Sequence, residues 1–187
     1  MSVLSNEEIN EHLKAGEIVI DGFEEACMRP SSYLLRISPD LLLRSGEPAL
    51  IDTRVTDTRS LFTATTIPEE GYCLEPGVLH LARSVERISL NSAICGDLGL
   101  LSCYARVGVS LNLGSNQVAA TFGANRPSSI VFEIVNASQD TLIIYPGVKF
   151  CHLRFARHLV PASLKYPGIY ASGNSILPAD FSRKPAL

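Results

Sequence analysis

No stretch of this 187-residue chain approaches the roughly 20 apolar residues that a membrane helix requires, so no helical membrane span is expected. Basic charge is not in excess. The formal charge is -3 at pH 7, which excludes a broad cationic face for nucleic acid and leaves only local contacts with phosphates. The chain has no Cys-x-x-Cys pair. Its five cysteines (Cys27, Cys73, Cys95, Cys103, Cys151) are odd in number and scattered, the pattern of reduced, mostly buried thiols. The opening Met-Ser-Val-Leu-Ser-Asn-Glu-Glu is acidic and lacks the apolar region of a signal peptide. Together these features make a cytoplasmic protein the expectation. Tryptophan is missing as well, which excludes nothing.

Several catalytic signatures are also missing. A zinc nucleobase deaminase needs His-x-Glu and Pro-Cys-x-x-Cys elements, and neither occurs. His12, His80, His152 and His158 have no ligand spacing, so no metal site is expected. There is no Gly-x-Ser-x-Gly nucleophile elbow and no Walker A loop.

Apolar residues make up 46% of the chain, enough for one real core, and residues 1–187 are read as a single domain. Ser5-Asn6-Glu7-Glu8 has the form of a capping box, so a helix is predicted within 1–16, ending at Gly16. Beyond it, short apolar runs alternate with turn residues. Strands are predicted at 18–20, 33–37, 71–74, 78–81, 85–90, 129–135, 141–144 and 149–155, with one or two more within 98–113. Val85 to Leu90 alternates, with Glu86, Ile88 and Leu90 on one face. No helical periodicity is read after residue 15. Many short strands indicate a mainly β sandwich, jelly roll or barrel. From about 161 to 187 the chain is rich in Pro, Gly, Ser and Ala, as expected of an extended arm or lid.

Within the β-rich region, Arg106 and Glu133 stand among apolar neighbours. A charge that is buried needs a partner or a task. Ser102 and Arg106, four apart in a strand, would share one face and could hold one polar ligand. A glutamate on a neighbouring strand or another subunit could move protons, its pKa tuned by burial and by Arg106. Equally, Arg106 and Glu133 could form a buried pair that fixes strand register or a subunit contact. Cys103 reads more readily as core than as nucleophile.

Six ordered motifs resemble the dCTP deaminase branch of the dUTPase-like fold. Arg29-Pro30-Ser31-Ser32-Tyr33-Leu34-Leu35-Arg36 is similar to that family's Gln-Pro-Ser-Ser-Tyr-Asp-Leu-Arg stretch. Leu74-Glu75-Pro76-Gly77 and Ser84-Val85-Glu86 resemble its Pro-Gly strand and following Thr-x-Glu. Ser102 to Gly108 resembles Arg-Ser-Ser-x-Ala-Arg-x-Gly without its first arginine. Phe132-Glu133 with Asn136 resembles the catalytic glutamate segment, Tyr145-Pro146-Gly147 a late Pro-Gly turn, and Lys165 to Tyr170 the nucleotide-covering tail.

The resemblance implies a dUTPase-like distorted jelly roll and a homotrimer with sites between subunits. It implies hydrolytic deamination of a deoxycytidine nucleotide, dCTP to dUTP and ammonia, without a metal cofactor; magnesium would only accompany the triphosphate. Glu133 would activate water at C4 of cytosine, while Ser102 and Arg106 position base, water and glutamate. Cys103 and Ala105 of the same motif, and Lys165, Tyr166 and Tyr170 of the tail, become candidate substrate contacts. Three positions depart from the family. Its phosphate-holding arginine falls on Leu101, its second serine on Cys103, and the aspartate of its N-terminal motif on Leu34. Its Asp-Pro-Gly-aromatic turn is replaced by a longer segment, 114–129, without the aspartate. Arg126 in that segment is the candidate to supply the missing phosphate charge. Two other functions stay open here: a dUTP diphosphatase, and a non-catalytic nucleotide-binding trimer.

Overall fold

A computed structural model of the chain describes residues 2–168, 170 and 175–182. Ile169, residues 171–174 and 183–187 of the expected arm lie outside the described residues. The first helix, α1, is Asn6–Lys14. The Ser5 side chain accepts from the Glu8 backbone N–H, and the Glu8 carboxylate accepts from Ser5 N at 2.8 Å, which closes the capping box. Thirteen strands are found among the described residues. The first seven are β1 (Ser2–Val3), β2 (Ile18–Asp21), β3 (Met28–Arg29), β4 (Ser32–Arg44), β5 (Phe62–Thr66), β6 (Tyr72–Leu74) and β7 (Leu79–Leu90). The rest are β8 (Ile94–Leu100), β9 (Val109–Leu111), β10 (Gln117–Val118), β11 (Ser128–Asn136), β12 (Leu142–Ile144) and β13 (Lys149–Arg157).

The mainly β, curled architecture agrees with the jelly-roll expectation. One sheet runs β10-β8-β13-β4-β7-β11-β9, and β6 pairs with β12 in a separate ribbon. The sheet turns on β4, which pairs with β13 through residues 33–36 and with β7 from Ile37 onward. The β4–β7 register shifts between Ile37 and Leu41. Pro39, inside this irregularity, has no N–H to give a ladder. The runs predicted at 78–81 and 85–90 belong to one strand, β7, which keeps Glu86, Ile88 and Leu90 on one face as expected, and that face is buried.

Residues 98–113 do hold two strands, but a helix separates them. α2 is Ser102–Arg106; five residues are too few to show a helical period in the sequence. It ends before Gly108, whose φ of 89° is left-handed and whose added Cβ would lie 2.7 Å from Ser138 Cβ. Glycine is therefore required twice over at this stop.

The buried ion pair of the structure is Arg36–Glu86, not Arg106–Glu133. Glu86 is fully buried. Its carboxylate accepts from Arg36 Nε at 2.7 Å and from Arg36 N at 2.9 Å. The same guanidinium reaches Glu24 and the Gly22 carbonyl. The pair bridges β4 and β7 beside the point where β4 changes partners.

Glu86→Ala is expected to lose about 3 kcal/mol, because it leaves the Arg36 backbone N–H without its acceptor and takes one of two carboxylate partners from a part-buried guanidinium; urea unfolding measures this. Glu86→Gln keeps an acceptor and should lose less. A Glu86→Ala protein as stable as wild type would show that the pair does not secure the β4–β7 seam.

Candidate functional site

β11 alternates strictly over its second half: Phe132, Ile134 and Asn136 are buried in the core, and Val131, Glu133 and Val135 face the other way. The first half does not alternate. The β11–β7 register shifts between Ser129 and Val131, and Ile130 N donates to the buried Ser84 Oγ at 2.9 Å instead of to the ladder. Such a bulge re-aims the side chains around it. Here Ser129, Ile130 and Val131 in succession, followed by Glu133, line a single cavity of about 610 Å³.

The cavity is mostly apolar, with a few polar groups converging on it. Leu79 and Leu81 of β7 form part of its wall. Asn112, Ser115 and Gln117 enter from the β9–β10 segment. Arg44 enters from the end of β4, Thr53 and Thr58 from the long connection after it, and Tyr166, Tyr170, Leu177, Ala179 and Phe181 from the C-terminal arm. Burial pushes the Glu133 carboxyl above its ordinary pKa, against the lowering pull of a backbone N–H. A carboxyl whose pKa is raised by burial is suited to give back a proton it has accepted.

The arm is held in place at both ends of its described course. Tyr166 N donates to Thr121 Oγ1 at 2.6 Å. Farther on, the Ala179 carbonyl accepts from Thr58 N at 3.0 Å and from Thr58 Oγ1 at 2.6 Å, and Phe181 N donates to the Thr56 carbonyl at 2.9 Å.

Of the residues singled out in the sequence, Glu133, Tyr166 and Tyr170 line the cavity; Ser102, Cys103, Ala105, Arg106, Arg126 and Lys165 do not. All six of the latter are exposed. Ser102 and Arg106 lie one helical turn apart on α2, so the shared strand face expected for them is replaced by the shared face of a helix turn. The apolar flanks of Arg106 do not imply burial, since Val107 is itself 49% exposed. Cys103 is exposed and not core, as is Cys73; Cys27, Cys95 and Cys151 are buried. Asn136 belongs to the core. Its amide donates to the Leu74 and Asp140 carbonyls and accepts from Ser138.

The remodelled loop contains a tight turn at 119–122. Phe122 N donates to the Ala119 carbonyl at 3.1 Å, and Thr121 in third place has φ 66°. A positive φ in third place suits the glycine of an Asp-Pro-Gly-aromatic turn, and no carboxylate stands in the first place, which is Ala119. The added length follows it. Gly123 (φ 65°) packs so closely on β7 that a Cβ would lie 2.2 Å from the Ile88 carbonyl oxygen. The wall residues Asn112, Arg44 and Thr58 carry no motif. The only local signal is Asn112-Leu113-Gly114, three residues that suit a tight, partly left-handed turn.

The family model for dCTP deaminase-like proteins matches residues 3–158. A protein of Persephonella marina named "dCTP deaminase, dUMP-forming" is 29% identical over 168 residues, which cover 90% of this chain and 91% of that one. A dCTP deaminase of Hyperthermus butylicus is 24% identical over 178 residues, 94% of this chain and 97% of its own. The solved 2'-deoxycytidine 5'-triphosphate deaminase of Agrobacterium tumefaciens superposes with a TM-score of 0.64 at 14% identity over 83% of this chain. The likeness there is one of fold, and the present chain spans about half of that protein's length, 48%.

The raised pKa of Glu133 gives its folded state the tighter hold on the proton, so its contribution to stability is full at low pH and lost as pH rises through the raised value. Glu133→Gln should therefore match wild type below about pH 4 and exceed it in stability at neutral pH. Denaturant unfolding across a pH series measures the gap, and a gap that does not vary with pH would contradict burial of the charge as its source.

Proposed function

We propose that this chain, which belongs to the dCTP deaminase-like family, hydrolyses the C4 amine of a deoxycytidine nucleotide, converting dCTP and water to dUTP and ammonia. The observation that carries this reading is Glu133, a carboxyl of raised pKa opening on a largely apolar cavity beneath the C-terminal arm. Water gives a proton to Glu133 as its oxygen bonds to C4 and the C4=N3 π pair moves onto N3. The glutamic acid returns that proton to the exocyclic nitrogen, the C4–N bond breaks, ammonia leaves, and the remaining water proton passes from O4 to N3 to give uracil. A carboxyl whose pKa is raised by burial suits both transfers.

Ser102 and Arg106 complete the site from another copy of the chain. Both are exposed and outside the cavity of their own subunit, so a homotrimer with sites between subunits accounts for side chains that a single chain leaves without a task. Cys103 and Ala105 come to the nucleotide on the same α2 segment. Tyr166 and Tyr170 cover the base and sugar. Arg126 and Lys165, exposed cations flanking the cavity's loop and arm, meet the phosphates in place of the charge that Leu101 cannot supply. Magnesium arrives with the triphosphate as part of the substrate, and deamination needs no metal of its own. dUTP is favoured as product over dUMP because Ala119 puts no carboxylate at the turn where water could be oriented for phosphate cleavage. A cytoplasmic location is part of this proposal and is supported by five scattered cysteines without a Cys-x-x-Cys pair; no helix among the described residues is long and apolar enough to cross a membrane.

The test is a product assay with dCTP, dCMP, deoxycytidine, CTP and dUTP, with magnesium, resolved by chromatography. The expected result is conversion of dCTP to dUTP without pyrophosphate release, reduced at least about 100-fold in Glu133→Gln. Pyrophosphate in step with ammonia would make dUMP the product. No turnover of any cytosine nucleotide, or full activity in Glu133→Gln, would overturn the proposal.

A further inference from the structure

We propose that Asn112 reads the pyrimidine's C4 substituent, accepting an N–H of the cytosine amine on its Oδ1 and so selecting cytosine over uracil nucleotides. This rests on the deaminase reading above and adds a residue to it. Three observations support the assignment.

The first is an unmatched acceptor. Asn112 is 4% exposed, and among the described residues its Oδ1 accepts no hydrogen bond. The amide cannot be turned to cure this, because Nδ2 donates to the Ser115 carbonyl at 3.2 Å, and a flip would set two oxygens against each other. A buried acceptor without a donor is costly unless a ligand supplies one.

The second is position. β9 and β11 pair as Ser110↔Val135 and Leu111↔Ile134, so Asn112 is the next residue in line, across from Glu133 just where the ladder ends. Residues opposite one another on antiparallel strands share a face, and both line the cavity. The third is the backbone. Asn112 and Leu113 have φ of 57° and 44°, two successive left-handed residues that are not glycine. Strain of this kind persists where the surroundings impose it, often at a ligand site.

The chemistry follows from what the base offers at C4. Cytosine presents an amine with two N–H donors; uracil presents a carbonyl oxygen. Glu133 must reach the amine nitrogen to protonate it, so an acceptor across from Glu133 faces the same group. Oδ1 matches the amine and opposes the carbonyl that replaces it, which favours substrate binding and product release.

The test measures dCTP and dUTP affinity by calorimetry in Glu133→Gln, which prevents turnover, with and without Asn112→Gly. Glycine removes the acceptor and tolerates the left-handed backbone. The expected result is an approximately tenfold loss of dCTP affinity, the size of one hydrogen bond, with dUTP unchanged or tighter. Asn112→Asp keeps an acceptor and should keep the preference for dCTP. Equal losses for both nucleotides, or none, would overturn the inference, since a water or a donor from another subunit would then be what Oδ1 meets. Wild-type turnover of dCTP alongside such a result would leave the deaminase reading standing. A folded wild-type protein that neither binds nor converts these nucleotides would remove both.

Discussion

The buried carboxylate of Glu86 is the point from which the rest of the arrangement follows. A charge removed from water needs full pairing, and Glu86 obtains it from the side chain and backbone of Arg36 on the facing strand. That ties β4 to β7 where β4 leaves one partner for another. Two residues earlier on β7, the buried Ser84 hydroxyl donates to the Glu86 carbonyl at 2.6 Å and accepts from Ile130 N at 2.9 Å. The bulge in β11 is thereby pinned to the same seam. Since side chains alternate along a strand, the position of the bulge decides which face Glu133 occupies. The aim of the proposed proton shuttle is thus set by polar contacts on the far side of the strand, through groups that never meet a ligand.

Around that carboxyl the protein builds a mostly apolar space and folds its own C-terminal arm onto it. Tyr166 is anchored on Thr121 and Ala179 on Thr58, so two separate loops share the work of holding the arm. Apolar walls raise the cost of charge on Glu133 and would keep bulk water from the proposed step, which uses a single water molecule. Arg44 lines this space, and the cations proposed to meet phosphates lie outside it, on exposed side chains of α2, the remodelled loop and the arm.

Much of the β architecture is legible in the sequence because it is written locally. The capping box at Ser5–Glu8, the Pro-Gly turns and the alternation that buries Glu86, Ile88 and Leu90 each depend on neighbours a few residues apart. What depends on distant contacts is not legible. Arg36 and Glu86 are 50 residues apart, and nothing local marks them as the buried pair, whereas Arg106 among apolar neighbours looks buried and is exposed. α2 is misread as strand because five residues carry no period. Asn112 draws no notice as a single asparagine after a short strand; its interest comes from a register and a missing donor that only the fold reveals. Glu133 is recognisable beforehand, since an acidic residue inside an apolar strand is unusual wherever it lands.

One chain holds Glu133 in a cavity and keeps Ser102 and Arg106 outside it. If copies of the chain complete one another's sites, two inactive variants should repair each other. The decisive measurement mixes Glu133→Gln with Arg106→Ala subunits under conditions of exchange and follows release of ammonia from dCTP. With each site drawing its glutamate and its arginine from different subunits, equal mixing should restore about a quarter of wild-type activity. No recovery on mixing, with both variants folded and exchanging, would contradict a site shared between copies.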